Sequence, residues 1–523
     1  MAKEKKINKS SVFTLMFFTL GSRILGLLRE MTKAHYLGDG IINDTFNVAF
    51  MIPNLLRRLF AESSMSVAFI PTFKGVLKKN NESETKDFLN AIFTTLSFLV
   101  TISVILGILL TPLFVKVIDT KNADINELIL LTRIMFPYLG FISLAALFQG
   151  ILNSLNIFGP GSFVPILYNI VTILTTIFLS KYTSNPARAM SIGVVIGGFL
   201  QMSFQLPYIF KNGYKFKFTS IIKSFKNPET KKVGRLIAPT LASMGAYQLS
   251  SAVATTIAFN TGVGVSSALS FSLRLQELVL GIFAVSIGTI LISTLSKAAK
   301  DEDWERFNLN IKTSLNAIAL ITIPVTVFAF IHAEQIVELI FKGGAFGENG
   351  VILTASVFKI HISGLYFIAI TRIIAPAFFS LEDSKTPAML GIVSVLIGVG
   401  LMFLLAPIFK AQGIAFATIA SSLILAISYF IFLRKKKDID FIHILKETIP
   451  ASFRILVFSL ISAYPIIKIK LYIFTHVDMG NKIVNIGLPL VISTLLYFGI
   501  YFIFLIIFKE KCVKELNALA RKR

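Results

Sequence analysis

The sequence predicts an all-α integral membrane protein, and three observations carry that reading. Of the 523 residues 54% are apolar and 49 are phenylalanine, and the mean hydropathy is +0.76. The apolar residues fall in runs of roughly 20 residues or more between short polar loops, the length a helix needs to cross a bilayer. Inside those runs lie four arginines, Arg23, Arg29, Arg57 and Arg274. An Arg near the bilayer centre costs between about 2.5 and more than 10 kcal/mol, so a chain keeps it where it faces a wet cavity and meets negative charge. A polytopic protein handling an anionic substrate is the leading expectation.

Fourteen hydrophobic segments can be drawn, at about 10–37, 41–73, 87–117, 127–155, 163–181, 187–210, 233–260, 264–296, 313–341, 350–380, 386–408, 412–433, 450–469 and 483–508. With the N-terminus inside, most Lys and Arg fall in cytoplasmic segments and few in periplasmic loops. This positive-inside asymmetry predicts two cytoplasmic termini and a multi-pass protein of the bacterial inner membrane. The basic start, MAKEKKINKS, runs into the first apolar helix without a small-residue cleavage site, so no cleavable signal peptide is expected. A net charge of +23 would suggest nucleic acid in a soluble protein. Here the charge follows topology, with an added attraction to anionic membrane lipids, and no nucleic-acid motif accompanies it. The loop 211–232 is the clearest case, with seven lysines from Lys211 to Lys232. The single cysteine, Cys512, rules out an intrachain disulfide.

Two halves of the chain echo each other. Ala68-Phe69-Ile70-Pro71-Thr72-Phe73-Lys74 closes the second segment, and Leu291-Ile292-Ser293-Thr294-Leu295-Ser296-Lys297 closes the eighth, 223 positions on. Leu152-Asn153-Ser154-Leu155-Asn156 and Phe378-Phe379-Ser380-Leu381-Glu382-Asp383 end the fourth and tenth at an offset near 226. The expected organisation is two six-helix lobes in a pseudo-twofold arrangement, 1–215 and 228–435. A third part, 436–523, holds a linker, two further helices and a basic tail. A parallel repeat of this kind favours alternating access. The stretch Phe441–Lys446 is expected to lie along the interface. Segments thirteen and fourteen either pack against the bundle or form a lipid-facing groove for a long tail.

No enzyme site is legible. There is no phosphate-binding P-loop and no histidine pair at ligand spacing, so ATP-driven transport within this chain is excluded while an ion or voltage drive is not. His332 and His361 read as helix-end or interfacial residues.

The charges inside the helices are the candidates for function. Arg23 is about 14 residues, some 21 Å, from either end of its helix and cannot easily snorkel. Arg29 lies nearer an end, where snorkelling beside Lys33 is the plainer alternative. Arg57 falls mid-segment beside Pro53, whose missing N–H opens backbone that lines cavities more often than it meets lipid. Arg58 and Glu62, four apart, suit a helical ion pair, as Arg274 and Glu277, three apart, also do. Asp44 reads as a helix N-terminal partner or gate. Arg133 and Arg372 are weaker candidates. Arginines on segments one, two and eight would come from both lobes, and the planar guanidinium suits phosphate because it donates two parallel hydrogen bonds.

At these residues the chain resembles the MurJ (MviN) lipid II flippase family. The resemblance runs through Ser22-Arg23-Ile24-Leu25-Gly26, Arg29-Glu30, Asn47-Val48-Ala49-Phe50, Pro53-Asn54-Leu55-Leu56-Arg57-Arg58, Phe60-Ala61-Glu62 and Ala68-Phe69-Ile70-Pro71. It continues at Arg274, Glu277, Gly288-Thr289-Ile290-Leu291, Ala375-Pro376, Asp383 and Lys385-Thr386-Pro387, and covers nearly the whole chain. It implies the multidrug/oligosaccharidyl-lipid/polysaccharide exporter fold and an undecaprenyl-pyrophosphate substrate bearing a disaccharide-pentapeptide. It implies substrate contacts at Arg23, Arg29, Arg57, Arg274, Asn54 and Ser267, with Asp44, Glu62, Glu277 and Arg58 as gate or charge partners. One position departs: some members carry an acid just before the eighth-helix arginine, where this chain has Leu273, leaving Glu277 to serve. No cofactor is implied, and a coupling ion or the membrane potential is the expected drive. Lipid II, membrane lipids and the cell-wall synthesis machinery are the expected partners. The rivals are another exporter of the superfamily, including a cation-coupled drug exporter, which would need deep carboxylates instead of arginines, and a non-transporting membrane scaffold.

Overall fold

In the computed structural model the chain is described at residues 9–58, 68–79, 81–118, 124–436, 439–476 and 481–513. Among these residues the regular structure is helical, apart from a single bridge between Gly343 and Phe346. Contacts divide it into two compact units, 1–267 with 343–347, and 268–342 with 348–523.

The first unit holds eleven helices and the start of a twelfth. They are α1 (Lys9–Leu37), α2 (Ile41–Arg57), α3 (Ile70–Lys78), α4 (Glu82–Val117), α5 (Ile125–Met135), α6 (Pro137–Ser154) and α7 (Gly159–Leu179). Then come α8 (Pro186–Ser203), α9 (Leu206–Lys211), α10 (Ile221–Lys226), α11 (Pro228–Thr261) and α12 (Val265–Lys300). Side-chain oxygens set several starts. Asn81 accepts from the Glu84 N–H (3.2 Å), Asp124 from Asn126 (2.8 Å), Asn185 from Ala187 (2.9 Å) and Asn227 from Glu229 (3.0 Å). At α8 and α11 a proline follows the cap directly, at the position where its missing N–H costs nothing. The run expected as one segment over 127–155 is a single apolar span, Ile125–Ser154, in which Pro137 interrupts the hydrogen-bond ladder at Phe136 between α5 and α6. Of the segment expected over 41–73, the described parts are α2 and the first residues of α3.

α1 lies along α7, and α7 along α8. Small residues permit the second contact. Gly193 and Gly197 form a GxxxG step on α8; a Cβ at Gly193 would run into Thr175, and one at Gly197 would come within 2.8 Å of the Tyr168 ring. Phe69, Phe73, Phe88, Leu139 and Ile151 fill one core, joining α3, α4 and α6. Phe46, Ala49, Leu131, Tyr138 and Met190 fill another, around α2, α5 and α8.

The second unit continues with α13 (Trp304–Ile331), α14 (Ala333–Phe341), α15 (Glu348–Ser363), α16 (Leu365–Ser380), α17 (Lys385–Leu433), α18 (Phe441–His476) and α19 (Leu488–Ile507). The segment expected over 350–380 is α15 and α16, bent by 41° at Gly364. α17 is a helical hairpin. Lys410 reverses the chain at φ 48°, Ser394 Oγ then donates to the Ser421 carbonyl (2.7 Å), and a Cβ at Gly413 would strike the Leu405 carbonyl. The expected segments 386–408 and 412–433 are its two arms. Phe441 to Lys446, expected along the interface, are the first turns of α18, where Asp440 accepts from the His443 N–H (3.2 Å) and caps the helix. α18 and α19 pack on α13, with the Tyr497 and Tyr501 hydroxyls donating to the Pro324 and Leu320 carbonyls at 3.0 and 3.1 Å.

Among the described residues eight helices are long and apolar enough to cross a membrane, or nine if the bent pair α15–α16 is one span. That group counts the α17 hairpin once.

Candidate substrate site

The first unit sets charged residues of α1 and polar residues of α2 against Tyr168 and Asn169 of α7. Arg29 Nη1 donates to Asn169 Oδ1 (3.0 Å) on α7, and its Nη2 donates to Glu30 Oε1 (2.7 Å). The guanidinium also sits 5.5 Å from the centroid of the Tyr168 ring, on its face. Asn169 is itself tied to α1, donating to the Ser22 carbonyl (3.2 Å). The other oxygen of Glu30 meets Lys33 Nζ at 3.1 Å, and Lys33 donates to Asn47 Oδ1 (3.1 Å) on α2. Glu30 and Lys33 are each only 4% exposed. Burial of these charges is tolerable because each finds an opposite charge and further hydrogen bonds. Lys33 therefore turns inward instead of snorkelling, and Arg29 is fixed between Glu30, Asn169 and Tyr168.

Arg57 is the last residue of α2. Its Nε donates to Asn54 Oδ1 (3.0 Å), one turn back on the same helix. Arg58 turns to α11, where Nη1 donates to Gln248 Oε1 at 3.3 Å. Arg23, half-buried at the middle of α1, makes no ion pair among the described residues.

At the start of α2, Asp44 is 1% exposed. One carboxylate oxygen accepts from the Gly264 N–H (2.6 Å), and the other from both the N–H (2.7 Å) and the hydroxyl (2.6 Å) of Ser267. Asp44 thus caps the start of α12, where free N–H groups and the helix dipole favour a carboxylate. Ser267 is fully buried and spends its polar atoms on Asp44.

In the second unit Arg274 and Glu277 pair at 3.1 Å on the surface of α12, with side chains 40% and 57% exposed. Leu273 supplies no charge on that turn, and Glu277 is the carboxylate present. His361 is buried against the Ser272 hydroxyl (Nδ1···Oγ 2.7 Å), and His332 closes the end of α13. Glu62 lies outside the described residues.

Against known proteins, the pattern of the Lipid II flippase MurJ family matches residues 33–483. The chain is 36% identical over 501 residues, 95% of each protein, to a probable lipid II flippase MurJ of Treponema pallidum (strain Nichols). It is 30% identical to the lipid II flippase MurJ of Burkholderia cenocepacia, over 82% of this chain and 84% of that one. The chain belongs to the lipid II flippase MurJ family. A solved lipid II flippase MurJ in an inward closed conformation superposes with a TM-score of 0.80 at 25% identity, covering 95% of this chain and 99% of that one. An inward-facing multidrug resistance MATE transporter of the MOP superfamily shares the fold alone, at a TM-score of 0.65 and 14% identity. The family is one of transporters.

Tyr168 and Asn169 were not singled out from the sequence, although they hold Arg29. An asparagine in the otherwise apolar run of α7 was the available signal, since a polar group at membrane depth needs a partner.

Proposed function

We propose that this protein flips lipid II across the bacterial inner membrane, both termini lying in the cytoplasm, and that Arg23, Arg29, Arg57 and Arg274 engage the pyrophosphate. One observation carries the reading: Arg29 is held between Glu30, Asn169 and Tyr168, and Arg23 lies on the same helix in no ion pair among the described residues. Cations are retained there at high cost, and a doubly charged phosphate group is an economical counter-charge. Among the described residues the carboxylates Glu30 and Asp44 are already engaged by Lys33, Arg29 and Ser267, which disfavours a cationic drug.

Alternating access between two six-helix lobes moves the headgroup, fourteen spans in all, while the prenyl tail stays in lipid or along α18 and α19. Membrane potential supplies a drive of about 2.3 kcal/mol per charge per 100 mV. The test is depletion of this protein followed by an accessibility assay for periplasmic lipid II, with Arg23→Ala, Arg57→Ala and Arg274→Ala expressed in its place. Loss of periplasmic lipid II with normal insertion of each variant is expected. Sustained growth on those variants sinks the pyrophosphate clamp.

A further inference from the structure

A second pocket in the first unit lies apart from the arginines. Residues 214–219 run extended across α4, with the Lys217 N–H donating to Asn90 Oδ1 (2.8 Å) and the Thr219 N–H to Thr94 Oγ1 (3.0 Å). Beneath this strap is a cavity of about 610 Å³ lined by Phe93, Phe148, Phe210, Phe216, Phe218 and Lys215, among others. Its volume falls within the range of roughly 300–1,000 Å³ usual for ligand pockets. The rings are arranged as a wall. Phe216 stacks on Phe93 (centroids 4.8 Å) and Phe148 (5.1 Å), and Phe218 tilts over Phe93 (5.1 Å). Phe218 is 73% exposed, and Phe210, at the end of the apolar span Pro186–Lys211, is 48% exposed.

The pocket therefore opens at the membrane–water boundary, and the strap and loop that border it are basic, with the nearest acids, Glu82, Glu84 and Asp87, in the first turns of α4. Lys211, Lys215, Lys217, Lys223 and Lys226 occur with no acidic residue between Lys211 and Asn227. The first acid after them, Glu229, meets Lys79 at 3.3 Å. An apolar slot lined by exposed aromatics, rimmed by cations and set where headgroups lie has the chemistry of an anionic lipid site.

We infer that this cavity binds an anionic diacyl phospholipid, one acyl chain against the phenylalanine wall and the headgroup phosphate on Lys215. The ligand is a resident lipid, distinct from the transported one. A lipid held there fixes the strap, and with it α10 and α11, on α4. The inference does not depend on the arginines or on the flipping reaction.

The experiment is native mass spectrometry of the purified full chain titrated with phosphatidylglycerol, phosphatidylcholine or undecaprenyl phosphate. Phosphatidylglycerol should be retained over phosphatidylcholine, and Lys215→Gln should reduce that retention roughly fivefold, the effect of one basic residue at a membrane surface. Leu206→Trp, which fills the slot, should abolish retention, and Met202→Trp does the same from the neighbouring turn if Leu206→Trp proves poorly folded. Equal retention of the two phospholipids overturns the inference, as does retention unchanged by both tryptophan variants. Preferential retention of undecaprenyl phosphate in this cavity also overturns it, assigning the slot to the transported tail. Flipping lost in Arg57→Ala with phosphatidylglycerol binding intact keeps the two sites separate.

Discussion

One oxygen of Asp44 accepts two hydrogen bonds from Ser267, at 2.7 Å from its N–H and 2.6 Å from its hydroxyl. A buried carboxylate held this way is a strong acceptor, and charge-assisted bonds are roughly twice as strong as neutral ones. Ser267→Ala removes only the hydroxyl and should cost about 1.5–3 kcal/mol, the range for a hydrogen bond to a charged group. Asp44→Ala strands the Gly264 and Ser267 N–H groups and should cost about 1–3 kcal/mol for each. Thermal unfolding in detergent measures the order. Equal losses in the two variants would remove Asp44 from its role as the cap of α12.

The same residues show what was legible in advance. Asp44 reads as a partner or gate at the start of its own helix, whereas the N–H groups it accepts from belong to the start of α12, 220 positions downstream, a tertiary fact no local pattern encodes. The apolar runs located nearly every helix, since periodicity and length decide which backbone can lie in lipid. Breaks were harder. Gly364 bends one run by 41° and Pro137 interrupts the ladder of another without ending its span, while Pro53, Pro112 and Pro324 sit inside continuous helices. A proline's effect depends on whether neighbours re-satisfy the freed carbonyl. Arg29 stood out by its cost, whereas Tyr168 and Asn169, which hold it, are unremarkable residue types until α7 is laid beside α1.

Glu30 bridges Arg29 (2.7 Å) and Lys33 (3.1 Å) and is the shared counter-charge of both. Removing one partner of a buried pair costs about 3–5 kcal/mol. Glu30→Gln should therefore lower the unfolding temperature sharply and abolish complementation. Glu30→Gln combined with Lys33→Met, which removes the second cation as well, should regain much of the stability. A double variant no more stable than Glu30→Gln would show that the two charges are independent.

Arg29 makes its two hydrogen bonds through separate nitrogens of one plane, toward Asn169 and Glu30. A lysine brings a single point charge and cannot span both with the same geometry. Arg29→Lys should insert normally yet fail to support growth in cells depleted of their own flippase. Full growth on that variant would mean the site needs only positive charge.

Asp383 lies outside the membrane spans and accepts from Lys436 Nζ (2.8 Å), from the Thr386 N–H (3.0 Å) and from the Thr386 hydroxyl (2.8 Å). The Lys436 hydrogen bond, followed by the Thr386 bonds, holds its carboxyl down to about 2 against burial, from an ordinary 3.8. A carboxyl depressed on folding stabilises fully above its unfolded value, and the contribution drains as pH falls toward 2. Asp383→Asn should unfold earlier than the parent at pH 7, and the gap should close on acidification from about pH 4 to pH 2. Thermal melts across that range check it. A gap independent of pH would put the stabilisation in shape instead of charge.

Gly197 connects helix packing to the arginine site. A Cβ there would approach the Tyr168 ring to 2.8 Å, and that ring lies under the Arg29 guanidinium. Gly197→Ala must push the ring or part α8 from α7, an overpacking that costs about 1–3 kcal/mol. Gly391 has nothing within 4 Å of its added Cβ, so Gly391→Ala on α17 should be neutral or slightly stabilising and serves as the control. Relieving the clash with Tyr168→Val in the Gly197→Ala background should restore the unfolding temperature. It should not restore flipping, because the surface that supports Arg29 is then gone. If Gly197→Ala flips lipid II at the parental rate, the position of Tyr168 beneath Arg29 is incidental to transport.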